Sequence, residues 1–401
     1  MNMNISDRAQ KIGFSPVRKL LPYADAAEKK GIKVYKLNIG QPDIVTPDSF
    51  FEGLDNFKER VVKYSDSKGI LQLRETFSKS YKKYGMNFGV DEILITQGGS
   101  EAITFALLTI CNEGDEILIP EPFYANYSSF IGISGAKIVP IPTTIENGFH
   151  LPAMEEIEKL ITPRTRAILF SNPGNPTGTV YREDEIKMLG QIAKKHDIYL
   201  IADEVYREFI YDDKIKYTSV TSIKEIEDRV ILVDSISKHY SACGARIGVI
   251  ASKNKELLNY VLKFCQSRLS ASTIEQFAAA NLINTIDSYI EEVKEKYTAR
   301  RDMIYKYLKE MPGVICPIPE GALYVLVQLP VDDSEKFAKW LLTDYSYENQ
   351  TLLLAPGGGF YKNEKMGKNK VRLSFCSSEQ DIENGMIVLK NALVEYNKLN
   401  K

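Results

Sequence analysis

The chain has 401 residues, 44% of them hydrophobic and 26% charged, with a net charge of -2. That length can bury a large core and leaves room for a smaller second unit, while the balanced charge gives no overall pull toward nucleic acid or an anionic membrane surface. Five scattered cysteines with no Cys-x-x-Cys pair fit reduced thiols, and His150, His196 and His239 fall at no metal-ligand spacing, so neither a disulfide framework nor a metal centre is expected. The first residues carry no export-signal pattern and no apolar run is long enough to span a membrane, which predicts a cytoplasmic protein.

From Ser15 to about Lys30 the pattern is helical, and 34–39 reads as a strand ending at Gly40-Gln41-Pro42-Asp43, where a glycine lets backbone come close to a ligand. Tyr64 sits in a polar turn that ends at Gly69, ahead of a helix from Ile70. A strand over 92–97 passes through Gly98-Gly99-Ser100-Glu101 into an apolar-faced helix ending at Ile110. Small residues between a strand and a helix start make an anion site, because unpaired N–H groups and the positive end of the dipole face outward; Gly99 and Ser100 hold that position. Short strands follow at 116–120 and 137–142, with Tyr124 offering a flat ring face in the turn after the first. The strand 166–170 runs into Ser171-Asn-Pro-Gly-Asn-Pro-Thr-Gly178, a loop stiffened by two Asn-Pro steps.

After a helix over 183–195, residues 197–202 form an unbroken apolar run suited to a buried parallel strand, ending in Asp203-Glu204-Val205-Tyr206. Open α/β sheets place ligand groups at such carboxyl ends, and an unpaired carboxylate there would cost several kcal/mol, so Asp203 needs a cation. Strands at 229–233 and 247–251 flank a polar insert holding Ser235, Ser237, Lys238 and Arg246. A lysine among small hydroxyl residues, with an arginine eight positions on, suits a cofactor that needs a covalent amine anchor and a phosphate clamp. Helices over 257–269 and from 270 precede a long charged helix from about Asp287 to Met311, read as a bridge between domains. Strands follow at 323–327, 351–354 and 370–375. On the last, Arg372 alternates with apolar neighbours, and a half-buried guanidinium wants a bidentate anion. Gly357-Gly358-Gly359 reads as a flexible loop, since no helix pattern follows it.

Each motif alone has a plainer reading, as a turn, a rigid connector or a surface side chain; their order decides. Asn-Ile-Gly40-Gln-Pro-Asp, Tyr64 with Gly69, Asn172-Pro-Gly-Asn175-Pro-Thr-Gly178, Asp203-x-x-Tyr206, Ser235-Ile-Ser-Lys238 with Arg246, and Val-Arg372-Leu-Ser-Phe occur in the order and spacing of the class I/II aminotransferases, the fold-type I pyridoxal-phosphate enzymes. The chain most resembles their aspartate aminotransferase branch. The resemblance implies an α/β fold: a large domain (49–290) with a mostly parallel seven-stranded sheet between helices, and a smaller α/β domain assembled from 1–48 and 291–401. It also implies pyridoxal 5'-phosphate as cofactor, amino-acid and 2-oxo-acid substrates, and a homodimer with shared active sites. Neither nucleic acid nor membrane is an expected partner.

Residue by residue, the resemblance makes Lys238 the covalent anchor and general acid/base, Asp203 the partner of the ring nitrogen, and Tyr124 the ring stacked on the cofactor. Asn175 and Tyr206 are matched to its phenolic oxygen. Gly99, Ser100, Ser235, Arg246 and a neighbouring subunit's Tyr64 are matched to its phosphate, and Ser237 is left structural. Gly40, Asn175 and Arg372 are matched to the substrate's α-carboxylate. Two positions depart from the family: Tyr124 stands where tryptophan is commoner, and Ser100 stands where one bacterial subgroup has a lysine that reads a distal carboxylate. Arg268 is the nearest cation to replace that lysine: it resembles an arginine of the animal-type subgroup that reads the distal carboxylate from the partner subunit, and its position equally suits a cap on the preceding helix. Aspartate is therefore the expected donor and 2-oxoglutarate the expected acceptor. The alternatives are aromatic or small neutral donors, or a lyase or decarboxylase on the same cofactor. A non-catalytic effector domain of a transcription regulator is disfavoured because Gly40 falls too near the start to leave room for a winged helix.

Overall fold

In a computed structural model, seven strands form the sheet that carries the site, in the spatial order Ile93–Thr96, Gly248–Ala251, Val230–Ser235, Tyr199–Asp203, Thr165–Ser171, Glu116–Glu121, Lys137–Pro142. Residues 4–286 and 288–399 are described. Gly248–Ala251 runs antiparallel to both its neighbours, and the other adjacent pairs are parallel. The central strands are buried along their length: Ala167 to Leu169 and Leu200 to Ala202 are fully buried, as runs of Ile, Leu and Ala predict for strands covered on both faces. One face packs on the helices Gly98–Ile110 and Lys255–Ser267 through Ile103, Leu107, Leu258 and Val261. The opposite face packs partly on Glu183–His196 through Ile186, Leu189 and Ile192. Because the parallel strands share one direction, their carboxyl ends bring Ser171, Asp203 and Ser235 to the same edge.

The two ends of the chain pack on each other. Lys33–Lys36 pairs parallel with Gln350–Leu353, and Ala355–Pro356, Lys370–Ser374 and Tyr324–Gln328 form a second small sheet. Their shared core, around Leu37, Phe337, Leu352 and Met386, also takes in Tyr206 and Phe209 from the segment after Asp203. Ser288–Lys309 is a 22-residue helix burying Val293, Tyr297, Ile304 and Leu308 in that core; Asp287, where the sequence pattern starts this helix, lies outside the described residues.

Two expectations change. The helix predicted from Ser15 begins at Leu21, and residues 15–20 form turns instead, with Arg18 and Lys19 N–H groups donating to Ser15 O. The short helices Asp48–Asp55 and Tyr127–Ser134, which the sequence reading did not place, also form. Gly357-Gly358-Gly359 is not a free loop but a 3₁₀ turn pressed onto other backbone: a Cβ on Gly357 would lie 2.5 Å from Lys370 O, and one on Gly359 would lie 2.2 Å from Pro16. Among the described residues no helix is long and apolar enough to cross a membrane.

Candidate active site

A cleft of about 700 Å³ opens where the carboxyl ends of the sheet meet the small sheet and the N-terminal segment. It brings together Gly40, Gly99, Ser100, Tyr124, Asn175, Asp203, Tyr206, Ser235, Lys238, Arg246 and Arg372, eleven of the residues singled out by sequence. A second cleft of about 660 Å³, between residues 43–52 and 284–300, contains none of them.

Lys238 stands at the centre. Its Nζ donates to Gly40 O at 2.7 Å and lies 3.9 Å from Cys243 Sγ. Burial, the largest influence, pulls its ammonium down, but Tyr324, Cys243, Cys376 and Tyr124 together push it above the ordinary lysine value. Gly40 is required there by space: a Cβ would sit 1.9 Å from Tyr324 Oη. Any side chain at position 40 would displace that ring.

Asp203 ends its strand with one oxygen satisfied and one not. Oδ2 accepts from Tyr127 Oη at 2.7 Å; Oδ1 is buried without a hydrogen-bond partner. Burial pushes the carboxyl up to about 6, against the lowering effect of the Tyr127 hydroxyl. A buried carboxylate with a free lone pair is a socket for a positively charged N–H donor, which would bring the carboxyl back down. Tyr127 also meets Tyr124 edge to face, ring centroids 5.4 Å apart, so one side chain orients both Asp203 and the ring at position 124.

The anion cradle forms at the start of Gly98–Ile110, where no side chain caps the free N–H groups. The helix start can approach the strand so closely because both sides are glycine: a Cβ on Gly248 would lie 2.3 Å from Gly98 C and 2.6 Å from Gly99 N. Arg246 lies over Gly98, 2.5 Å from where a Cβ would be, and its Nη1 donates to Cys243 O at 2.9 Å. Ser235 Oγ lies 2.7 Å from Ser237 Oγ and donates to Ile247 O at 3.0 Å. Ser237, read from sequence as structural, therefore lines the cleft as Ser235 does. Beneath this loop Asp234 is paired with the buried Arg207, accepts from Tyr81 Oη at 2.9 Å and accepts from Ser235 N at 2.7 Å.

On the opposite wall Arg372 is 2% exposed. Its Nη1 donates to Asn175 Oδ1 at 3.0 Å and its Nη2 to Asn38 O at 2.6 Å, while its guanidinium carbon lies 4.4 Å from the Tyr324 ring centroid. Nε remains buried and unpartnered. Tyr206 Oη and Tyr324 Oη are 3.0 Å apart. Sequence reading missed Tyr127, Asn38, Cys243 and Tyr324; each is a common residue type whose role comes only from the contact it makes.

Two selected residues lie elsewhere. Tyr64 is 79% exposed and outside this chain's cleft. Arg268, expected to read the distal carboxylate in a neighbouring subunit's site, has Nη2 donating to Ile95 O at 3.1 Å, Nε 3.4 Å from Glu101 Oε1, and Nη1 buried without a hydrogen-bond partner. It does not line the cleft.

A lysine amine, an unsatisfied carboxylate, a helix start whose N–H groups no side chain caps and a buried arginine thus surround one cleft. The model of the aminotransferase class I and II family matches residues 32–388, and the chain belongs to that family. It is 33% identical over 377 residues to the aspartate aminotransferase of Thermotoga maritima, covering 93% of this chain and 95% of that one. It is 30% identical over 403 residues to aromatic-amino-acid aminotransferase 2 of Thermococcus litoralis, covering 98% and 99%. In structure it is similar to a single mutant of Thermus thermophilus aspartate aminotransferase, with a TM-score of 0.89 at 27% identity, over 98% of this chain and all of that one.

Proposed function

We propose that this aminotransferase uses pyridoxal 5'-phosphate to move the amino group of an L-amino acid with an acidic side chain, aspartate first, to 2-oxoglutarate. The observation that carries this reading is that Lys238 Nζ, the unsatisfied Asp203 Oδ1 and the Arg372 guanidinium face one cleft. Bound there, the cofactor supplies an electron-withdrawing ring that takes up the electrons left when the substrate Cα loses its proton. Asp203 would hold the ring nitrogen in its protonated form. Gly99, Ser100, Ser235, Ser237 and Arg246 would hold the phosphate, and Tyr124 would cover the ring. Arg372 and Asn175 orient the α-carboxylate, and so set the Cα–H bond within reach of Lys238 Nζ, which takes the proton and returns it.

Supporting a homodimer, Tyr64 is exposed beside exposed Val61 and Val62, as a residue serving a neighbour's site would be. The grouping of 1–48 with 291–401 around 49–290 is supported by the pairing of Lys33–Lys36 with Gln350–Leu353. A cytoplasmic location completes the reading.

The test is a donor panel with 2-oxoglutarate as acceptor. Aspartate should give the highest kcat/KM; a preference for aromatic or small neutral donors would replace the substrate assignment. Incubation with donor alone separates reaction types, since a transferase stops after one equivalent of oxo acid per site and a lyase or decarboxylase continues.

A further inference from the structure

We infer that Arg18, on the turn that precedes the first long helix, reads the distal carboxylate of the substrate. This rests on the reading above that the substrates are dicarboxylates. Of the charged side chains lining the cleft, Lys238, Asp203, Arg246 and Arg372 already have work; Arg18 is the remaining one. It is exposed, and among the described residues its guanidinium has no hydrogen-bond or ion-pair partner.

The backbone carrying it is held firmly. Asn38 Nδ2 donates to Val17 O at 2.8 Å, and Asn38 O accepts from Arg372 Nη2 at 2.6 Å. Two hydrogen bonds thus lead from the arginine that grips the α-carboxylate to the residue beside Arg18. On the far side, Lys19 pairs with Glu335, and Pro16 packs into the space left by Gly359. The fixed backbone sets where the arm starts, and the free guanidinium leaves its forked donors open to a carboxylate.

The rest of the cleft removes the competitors. Within this chain's cleft Ser100 is neutral, Arg268 lies outside it beside Glu101, and the lining includes the apolar side chains of Val17, Ile39, Ile103 and Phe130. Arg18 gives a β- or γ-carboxylate its partner; a neutral side chain has no use for it.

Donor half-reactions test this, followed by the cofactor's absorbance with no oxo acid present, so that the acceptor's own carboxylate does not enter. In Arg18→Leu the rate constant per donor concentration should fall about 30- to 1,000-fold for aspartate and glutamate and less than about threefold for alanine and phenylalanine. Arg18→Lys should recover part of the loss. Succinate binding by calorimetry should weaken similarly while butyrate binding stays unchanged. An equal fall for all donors, or no fall for aspartate, would overturn the role of Arg18 and leave the aspartate reading standing. A wild-type enzyme without preference for dicarboxylates would overturn both.

Discussion

The wall built on the seven-stranded sheet and the wall built from residues 15–41, Tyr324 and Arg372 differ in how their polar groups are held. On the sheet wall the loop at 234–247 is largely self-bonded, Ser235 with Ser237 and Ile247 and Asp234 with Ser235, while Tyr127 and Tyr81 reach Asp203 and Asp234 from 76 and 153 positions away. On the other wall Arg372 is bonded to Asn38, 334 positions away, and to Asn175, 197 positions away. Tyr206 and Tyr324 are 118 apart. A wall assembled from short runs at one sheet edge carries its cofactor contacts on the buried sheet; a wall made of remote segments exists only once those segments pack together. Substitutions on the sheet wall should therefore affect every substrate alike, and those opposite, apart from Arg372 with its hold on the common α-carboxylate, should sort substrates or weaken them modestly.

The largest effect is expected at Lys238. Lys238→Ala should abolish covalent attachment of the cofactor and lower turnover by at least about 10²- to 10⁴-fold for every donor, with the fold intact by circular dichroism. A fall confined to some donors would remove the distinction between the walls.

Asp203→Asn comes next. Cofactor binding should stay measurable while donor half-reaction rates fall on the order of 10²- to 10³-fold across the donor panel, because the preorganised charge behind the ring nitrogen is gone. The pH dependence sharpens this. In the free protein burial holds Asp203 up to about 6, and a cationic ring nitrogen would lower it. The stabilisation is thus full above about pH 6 and is lost as pH falls through the lowered value. The rise in melting temperature on adding cofactor should accordingly shrink between pH 7 and pH 5 in the wild type, by more than in Asp203→Asn. Equal slopes would contradict the pairing.

Tyr324→Phe, opposite, should cost only one hydrogen bond to Tyr206, about 3- to 10-fold in kcat/KM, without loss of cofactor. A loss of cofactor would place Tyr324 with the sheet wall.

The same contrast decides what was legible in the sequence. The sheet wall could be read because its chemistry is written in short runs: the loop 171–178, Asp203 to Tyr206, and Ser235 to Arg246. Strand positions followed from unbroken apolar runs such as 197–202, with ends shifted by a residue or two. Tyr127, Asn38, Tyr324 and Arg18 were illegible because nothing in their neighbours marks them; each acquires a role when distant backbone brings it to the cleft. The same holds for Arg268, whose contacts within its own chain, Ile95 O at 3.1 Å and Glu101 Oε1 at 3.4 Å, are not marked by its neighbours in sequence. Gly357 to Gly359 looked flexible by composition, yet those glycines serve close backbone packing.

The most direct measurement is peptide mapping of the holoenzyme after borohydride reduction, which fixes the cofactor to whichever lysine carries it. The account predicts a single modified peptide with the label on Lys238, absent from Lys238→Ala. Label on any other lysine would contradict it, since among the described residues no other lysine lines the cleft with Asp203 and Arg372.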